Sequence, residues 1–206
     1  MEIITNYFPD ITHKQKEQFI ALNELYKEWN AKINLISRKD IDHLYEKHVL
    51  HSLGIAKIIR FTPDTNIMDA GTGGGFPGIP LAILFPDCSF HLVDSTAKKL
   101  TAAKNIAEQI GIQHITFQHG RIEDEKQKFH FVVSRALMPM TNLIRICKKN
   151  IRKDQQNAFP NGFICLKGGD VQQEIQSFSH ITDVFSLSDY FEEDFFNTKK
   201  VIYVPA

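Results

Sequence analysis

The sequence predicts an α/β fold in which helices cover both faces of a mainly parallel sheet. From residue 66 onward, short apolar stretches rich in strand-forming residues alternate with stretches of helical periodicity. A segment with five glycines, residues 71–78, lies between the first of these strands and the helix that follows. This order of strand, loop and helix is typical of the first crossover of a parallel sheet, where ligands bind at the carboxyl ends of the strands.

The first sixty residues are expected to be helical. Thr12 followed by Gln15 resembles a capping box, and apolar residues at helical spacing predict a helix of about eighteen residues after it. Residues 33–38 are expected to connect this helix to a second one, with Asp40 as its N-cap and further helix over residues 52–59. We therefore expect a helical extension over residues 1–60, packed on an α/β domain over residues 61–206.

The strands and helices of this α/β domain follow in alternation. Strands are predicted over residues 66–69, 89–93, 115–118, 129–134 and 162–166. Helices are predicted over residues 77–85, 96–110, 141–149 and 171–177. Residues 182–187 and 199–204 are expected to form a closing antiparallel pair of strands. The expected sheet therefore has seven strands, with an antiparallel strand at its C-terminal end.

Composition narrows the class of protein. The chain has 206 residues, of which 43% are hydrophobic and 23% charged, as is ordinary for a soluble globular domain. Cys88, Cys147 and Cys165 each lie in an apolar stretch, so we expect buried thiols in a reducing cytosol rather than disulfides. No basic region precedes an apolar core at the N-terminus, and no stretch approaches eighteen apolar residues. We expect a cytoplasmic protein without a signal peptide or a membrane span.

The charges are balanced overall but unevenly distributed. The formal net charge is zero, which argues against indiscriminate binding to nucleic acid. Residues 135–167 nevertheless contain seven basic residues and one acidic residue, whereas residues 168–206 contain two basic and seven acidic residues. The basic block could face an anionic partner, or it could be a solvated helix end and loop.

Two histidines lie close together on the second predicted helix. His48 and His51 are three residues apart, and Lys47 precedes them. A metal site needs more ligands, and no cysteine or pair of acids completes one here. We expect these histidines at the surface or at the edge of a pocket, and no metal.

The glycine-rich segment is compatible with two kinds of ligand. Gly73–Gly78 satisfies G-x-G-x-x-G, and Asp94 ends the next strand where a dinucleotide-binding protein has its ribose-binding acid, which would make the protein an NAD-dependent oxidoreductase. Asp69, two residues before the first glycine, would instead repel a pyrophosphate and attract an ammonium group. Phe76 and Pro77 suit a wall against a sulfonium and the first turn of a helix better than a phosphate cradle.

This pattern resembles that of the Rossmann-like methyltransferases that bind S-adenosylmethionine. It consists of an acid, then G-x-G-x-G, then a second acid at the end of the next strand. In those proteins the loop backbone lies along the methionine part, and the second acid binds both ribose hydroxyls. A further contact is expected from Gly120–Glu123, after the third strand, where an apolar side chain and a polar partner could bracket adenine. The alternative for this segment is a helix N-terminus with favourable acids.

Several motifs are specific enough to indicate one family. In order and spacing they resemble the bacterial small-subunit (16S) rRNA guanine-N7 methyltransferases, also known as the glucose-inhibited division protein B family. These motifs are Asp69–Leu81, Leu92–Ser95, Gly120–Glu123, Ser134–Ala136 and Leu166–Gly168. Residues 33–35 and 47–52 are similar to the helical N-terminal region of that family, and the resemblance runs from about residue 20 to about residue 175. It implies a Rossmann-like class I methyltransferase with N-terminal helices.

The resemblance also implies the roles of individual residues. S-adenosylmethionine is the expected cofactor, with S-adenosylhomocysteine as its product. Asp94 would bind the ribose, Ile122 and Glu123 would bind the adenine, and Arg135 would lie beside the substrate entrance. The full set of expected cofactor-binding residues is Asp69, Gly71, Gly73, Gly75, Phe76, Asp94, Ser95, Ile122, Glu123 and Arg135.

The reaction that this family performs does not require a side chain to remove a proton. Guanine N7 carries a lone pair and no proton, so we assign no general base and expect catalysis by orientation and preorganised electrostatics. Arg135 and Lys167 are the candidates for the catalytic site, with phosphate contact and solvation of a strand end as their alternative roles.

The expected partner is 16S rRNA. Because the net charge is zero, charge alone would not bind free RNA well, and we expect the substrate to be a small-subunit particle, whose shape and neighbouring protein add to recognition. Candidate RNA-binding residues are Arg38, Lys47, His48, Arg145, Lys148 and Lys149. The family usually has an arginine at the position of Lys47 and an acid at that of His51. Two further alternatives are a methyltransferase of a small molecule or protein, and a module that binds the cofactor without transferring a methyl group.

Overall fold

Seven strands form one sheet in the computed structural model, which describes residues 1–37 and 39–206. They are β1 (Asn66–Ala70), β2 (Ser89–Asp94), β3 (Ile115–His119), β4 (Phe131–Arg135), β5 (Gly162–Gly168), β6 (Asp183–Ser186) and β7 (Lys199–Pro205). Their order across the sheet is β3-β2-β1-β4-β5-β7-β6. β1 to β5 are parallel, and β7 is antiparallel to both β5 and β6. The predicted mainly parallel, seven-stranded sheet is confirmed.

Eight α-helices and several shorter helical turns connect and cover these strands within the described residues. The α-helices are α1 (Glu2–Tyr7), α2 (His13–Lys32), α3 (His51–Leu53), α4 (Ile55–Ile58), α5 (Gly78–Leu84), α6 (Ala97–Gln109), α7 (Met140–Cys147) and α8 (Gln172–Ile175). The 3-10 helices are Ile41–His43, Ile122–Asp124, Lys148–Asn150, Gln176–Ile181, Leu187–Asp189 and Asp194–Thr198, and Tyr45–Leu50 is a π-helix. None of the helices described over residues 1–37 and 39–206 combines the length and the apolar character that crossing a membrane requires.

Two apolar clusters cover the two faces of the sheet. Phe19 of α2 and Ile106 of α6 belong to the cluster that contains Phe131, whereas Leu143 of α7 belongs to the cluster that contains Val132. Phe131 and Val132 are consecutive on β4, so their side chains point to opposite faces. The three cysteines are buried, free thiols, as the sequence predicted.

The N-terminal helices position the glycine-rich loop. Both hydrogen bonds of the predicted capping box between Thr12 and Gln15 are present at the start of α2. The Gln15 amide also donates to the carbonyl oxygen of Ile83 at 2.9 Å, which ties α2 to α5. Farther along α2, the buried Tyr26 hydroxyl donates to the carbonyl oxygen of Gly74 at 2.7 Å. Helix α2 is therefore attached directly to the loop between β1 and α5.

The second predicted helix is irregular, and the capping role predicted for Asp40 is wrong. Asp40 precedes the 3-10 helix, but its side chain makes no capping hydrogen bond. Its Oδ1 instead accepts a hydrogen bond from Lys47 Nζ at 2.8 Å, because the first turns place this lysine within reach. The π-helix then carries His48, and α3 begins at His51. π-turns inside helices are frequent at functional sites.

Candidate functional site

Asp69 near the end of β1 shapes the loop that follows. Its side chain is fully buried, and its Oδ2 accepts hydrogen bonds from the Thr72 hydroxyl at 2.6 Å and from the Gly78 amide at 2.8 Å. A Cβ at Gly78 would lie 2.7 Å from Leu92 Cδ1 and 2.8 Å from Asp69 Oδ2, so only glycine fits there. Asp69 thus sits under the loop and holds it against the first turn of α5.

The glycines give the loop its open side. Gly73 has φ +56°, a left-handed conformation that favours glycine, and nothing lies within 4 Å of the position that its Cβ would occupy. The backbone at Gly73 is therefore exposed to a ligand. Gly75 faces the other way, since a Cβ there would lie 2.4 Å from Ile79 Cδ1.

Asp94 joins the loops that follow β1 and β2. Its Oδ2 accepts a hydrogen bond from the Gly73 amide at 2.7 Å, and its Oδ1 accepts one from the Thr96 amide at 2.7 Å. β1 and β2 are parallel neighbours, so their carboxyl ends meet at one edge of the sheet. The carboxylate is half-buried and remains accessible from this edge.

A cavity of about 330 Å³ opens beside Asp94 at the carboxyl ends of the strands. Its volume falls within the range of about 300–1,000 Å³ that is usual for small-molecule sites. The residues that line it are Gly71, Asp94, Ser95, Gly120, Arg121, Ile122, Glu123, Leu137 and Met138. The structure thus brings together five of the predicted cofactor-binding residues, and Gly73 is joined to this group by its bond to Asp94.

Phe76 and Arg135 form a second cluster and do not line the cavity. The Phe76 ring is 2% exposed and lies 4.8 Å from the ring of Tyr26 and 5.3 Å from that of His48. The guanidinium carbon of Arg135 lies 4.8 Å from the centre of the Phe76 ring, in a cation–π contact. Burial lowers the pKa of Arg135 to about 10, so it stays charged at neutral pH.

Several polar atoms around Arg135 have no hydrogen-bond partner among the described residues. They are both ring nitrogens of His48, Nε2 of His51 and Oδ1 of Asp69, and all are buried. Burial and then the charge of Arg135 lower the pKa of His48 to about 3 and that of His51 well below its usual value. Both histidines are therefore neutral. Unpartnered buried polar atoms are uncommon and call for an explanation, such as a ligand or water.

Lys167 supports the loop that follows β4. Its Nζ donates to the carbonyl oxygen of Met138 at 2.6 Å and forms an ion pair with Glu174 Oε1 at 2.6 Å. Glu174 Oε1 also accepts a hydrogen bond from the Met140 amide at 2.5 Å. The amine of Lys167 is therefore engaged in holding this cavity wall, and it is not among the cavity-lining residues.

The candidate RNA-binding residues are dispersed. α7 begins five residues after β4 ends, and the 3-10 helix that follows it ends at Asn150, whose carbonyl oxygen accepts a hydrogen bond from the Phe129 amide near the start of β4. Arg145 and Lys148 lie beside Pro205, which pairs with Gly162 at the amino end of β5, away from Arg135 at the carboxyl end of β4. Lys149 Nζ instead donates to the carbonyl oxygen of Glu123, which lines the cavity. Lys47 pairs with Asp40, and of the candidates within the described residues only His48 belongs to the cluster around Arg135. Arg38 lies outside the described residues.

Sequence reasoning missed Tyr26 and the two cavity residues Leu137 and Met138. Leu137 packs so closely on the loop that a Cβ at Gly71 would lie 2.4 Å from its Cδ1. Leu137 and Met138 directly follow the Ser134–Ala136 motif, so their place after β4 was a usable signal. For Tyr26 the sequence indicated only a place on a helix, because its role depends on the hydrogen bond to the carbonyl oxygen of Gly74, which is distant in the chain.

The buried carboxyl group of Asp69 makes stability depend on pH. Burial raises its pKa from 3.8 to about 7, against the opposing hydrogen bonds from Thr72 and Gly78. Between about pH 4 and 7 the folded protein then binds more protons than the unfolded chain, so the stability that Asp69 contributes is lost as pH rises through this window.

We therefore expect the Asp69→Asn variant, which does not titrate, to gain stability relative to the wild type as pH rises from 4 to 7, by at most about 1.4 kcal/mol per pH unit. Urea unfolding of both proteins at pH 4, 5.5 and 7 measures this difference. A difference that stays constant over these three values would show that Asp69 keeps an ordinary pKa.

Comparisons with known proteins agree on the fold and on the family. Among solved structures, MtNAS in complex with S-adenosylmethionine has a TM-score of 0.59 at 13% identity, over 93% of this chain and 76% of that chain. A precorrin-6y C5,15-methyltransferase from Geobacter metallireducens has a TM-score of 0.57 at 12% identity, over 84% and 92%. These likenesses support the predicted Rossmann-like class I methyltransferase fold.

The sequence itself matches the GidB family, rRNA small subunit methyltransferase G, over residues 15–200. The ribosomal RNA small subunit methyltransferase G of Bacteroides thetaiotaomicron is 64% identical over 203 residues, which cover 98% of each chain. The resemblance deduced from the motifs is thereby confirmed. With a family match over most of its length and a relative this similar, the chain belongs to the rRNA small subunit methyltransferase G family.

Proposed function

We propose that the protein transfers a methyl group from S-adenosylmethionine to N7 of a guanine in 16S rRNA of the small ribosomal subunit. The main observation that supports this proposal is the cavity at the carboxyl ends of the strands. It joins the backbone of Gly71, the carboxylate of Asp94 and the pair Ile122 and Glu123, in a chain that belongs to an rRNA methyltransferase family.

The cavity fits the adenosine part of the cofactor. Each oxygen of the Asp94 carboxylate accepts one backbone hydrogen bond and keeps capacity for another, as two ribose hydroxyls require. Ile122, which is 7% exposed, offers an apolar wall for adenine, and Glu123 offers an acceptor beside it. When bound, S-adenosylmethionine supplies an electrophilic methyl group, and the residues around the cavity hold and orient it.

The same geometry disfavours a dinucleotide. A pyrophosphate binds to free amides at the first turn of the helix that follows the glycine-rich loop. Here the Gly78 amide, the first of α5, donates to Asp69 Oδ2. A carboxylate therefore occupies the place of the phosphate, and an NAD-dependent oxidoreductase is the poorer account of the loop.

The cluster around Arg135 is proposed to face the target base. The guanidinium of Arg135, which contacts the Phe76 ring and makes no hydrogen bond or ion pair within residues 1–37 and 39–206, offers donors. The neutral His48 and His51 offer unused ring nitrogens. Guanine N7 has no proton to lose, so these groups need only hold the base in line with the methyl group. We assign no general base.

The proposed substrate is a small-subunit particle rather than free rRNA. The net charge is zero, and Arg145 and Lys148 lie near the amino end of β5, away from the cluster around Arg135. Electrostatic attraction to naked RNA is therefore weak, and the shape of a particle would have to add to recognition. Because bacterial ribosomal subunits assemble in the cytoplasm, this proposal also implies a cytoplasmic protein.

Replacing Asp94 tests the cofactor assignment. We expect Asp94→Ala to weaken binding of S-adenosylhomocysteine by about 1–3 kcal/mol, because the ribose hydroxyls lose their acceptor. Asp124→Ala, an exposed acid near the cavity that does not line it, is the matched control and should bind as the wild type does. Calorimetric titration measures both variants, and an unchanged affinity of Asp94→Ala would contradict the ribose assignment.

The reaction itself is tested in cells that carry or lack the gene. We expect 7-methylguanosine at one position of 16S rRNA in the first cells and an unmodified guanine there in the second. Chemical mapping of modified guanines reads this out directly. Identical patterns of 16S rRNA would contradict the proposed substrate and favour methylation of a small molecule or protein, or binding without methyl transfer.

The particle is tested with purified substrates. We expect the enzyme to methylate small subunits from cells without the gene faster than it methylates naked 16S rRNA from the same cells. Transfer of a labelled methyl group measures both rates at one salt concentration, since RNA affinity depends on salt. Equal rates would contradict the need for a particle and leave the choice of rRNA intact.

A further inference from the structure

The segment that forms the adenine wall of the cavity is fixed by side chains on its far side from the cavity, those of Asn150 and His91. It runs from Arg121 to Gln127 and contains only one short 3-10 helix. Asn150 Nδ2 donates to the carbonyl oxygens of Glu125 at 3.0 Å and of Gln127 at 2.8 Å. A buried carboxylate in the segment, that of Glu125, supplies a further contact to the sheet.

Glu125 pairs with His91 of β2. His91 Nε2 lies 2.8 Å from Glu125 Oε2, and the two residues are 7% and 2% exposed. Glu125 Oε1 accepts hydrogen bonds from the amides of Lys126 at 2.7 Å and Gln127 at 2.6 Å. Burial alone would raise the pKa of Glu125, but the bonds from Gln127 and His91 outweigh it and hold the pKa below its usual value.

The histidine is fixed on its other side as well. His91 Nδ1 lies 2.8 Å from the Thr116 hydroxyl on β3, and its ring stacks on Phe129 with 5.5 Å between ring centres. The hydroxyl can donate or accept, so both contacts of the ring persist in the neutral and in the protonated histidine. The pair therefore joins two strands of the sheet to the 121–127 segment through one imidazole.

Packing alone would not need these polar groups, because well-packed apolar residues of similar size often stabilise a fold as well as a buried pair of polar or charged groups does. What the hydrogen bond between His91 and Glu125 adds is a defined direction, which fixes Glu125. The backbone amide of Glu125 donates to the carbonyl oxygen of Ile122 at 3.3 Å. Ile122 in turn lines the cavity beside Asp94.

We propose that His91 is a positioning residue for the adenine subsite. Through Glu125 it holds Ile122 and Glu123 at the distance from Asp94 that the adenosine part of the cofactor requires. This inference rests on the proposed function, because it assumes that the cavity binds S-adenosylmethionine. It predicts an effect on cofactor binding and none on the chemical step once the cofactor is saturating.

Two substitutions of similar size separate the two hydrogen bonds of the imidazole. The amide of a glutamine can reach the position of Nε2 and keep the bond to Glu125, whereas that of an asparagine reaches only the position of Nδ1 and keeps the bond to Thr116. We expect His91→Gln to bind S-adenosylhomocysteine and methylthioadenosine nearly as the wild type does. We expect His91→Asn to bind both about tenfold more weakly, with kcat at saturating cofactor within about twofold of wild type.

His114→Asn is the control, because His114 bonds to the carbonyl oxygen of Ala82 at 3.2 Å and does not contact the 121–127 segment. It should bind both ligands as the wild type does. Hydrogen exchange supplies a second readout, in which the amides of residues 122–127 exchange faster in His91→Asn than in His91→Gln. This comparison needs no ligand and remains available if a variant is only marginally stable.

Equal affinities of the asparagine and glutamine variants, or equal exchange in residues 122–127, would overturn the positioning role and leave a packing role for the histidine. A loss of kcat without a loss of affinity would overturn it too. A wild type that binds neither ligand would instead contradict the proposed function, and the inference would fall with it.

Discussion

Asp69 Oδ2 accepts hydrogen bonds from the Thr72 hydroxyl and the Gly78 amide, and these two bonds fold the chain between β1 and α5 around one buried carboxylate. The loop can then be held from outside by two further contacts, the Gly73 amide on Asp94 and the Tyr26 hydroxyl on the Gly74 carbonyl. The same bonds expose the backbone at Gly73 and occupy the first amide of α5. One carboxylate thus both shapes a cradle for the cofactor and removes a site for a pyrophosphate.

Two walls of the cavity are likewise held by a carboxylate that accepts hydrogen bonds from backbone amides. The wall after β3 is held by the pair of His91 and Glu125, and the wall after β4 by the pair of Lys167 and Glu174. In each pair the carboxylate also accepts hydrogen bonds from backbone amides of the wall itself. Sites whose supporting residues are fixed in this way are preorganised for binding. The amine of Lys167, a candidate for catalysis from the sequence, takes part in one of these supports.

Much of this could be predicted from the sequence, because the relevant signals are local. Alternating strands and helices predicted the parallel sheet, and parallel strands bring their carboxyl ends together, so Asp94 and Ile122 were expected at one site. The contact of Arg135 with Phe76, the pairing of Lys167 with Glu174 and the role of Tyr26 join residues that are far apart in the chain. Local pattern contains no information about such contacts, since they follow from packing. Asp40 shows the same limit at short range, because a nearby lysine competed for the carboxylate that would have capped the helix.

The central claim is that the loop over Asp69 and the cavity beside Asp94 are built for a sulfonium cofactor and not for a dinucleotide. Calorimetric titration of the purified protein with S-adenosylhomocysteine and, separately, with NADH tests it most directly. The structure predicts saturable binding of one S-adenosylhomocysteine per chain and no measurable binding of NADH. Tight binding of NADH with none of S-adenosylhomocysteine would contradict it.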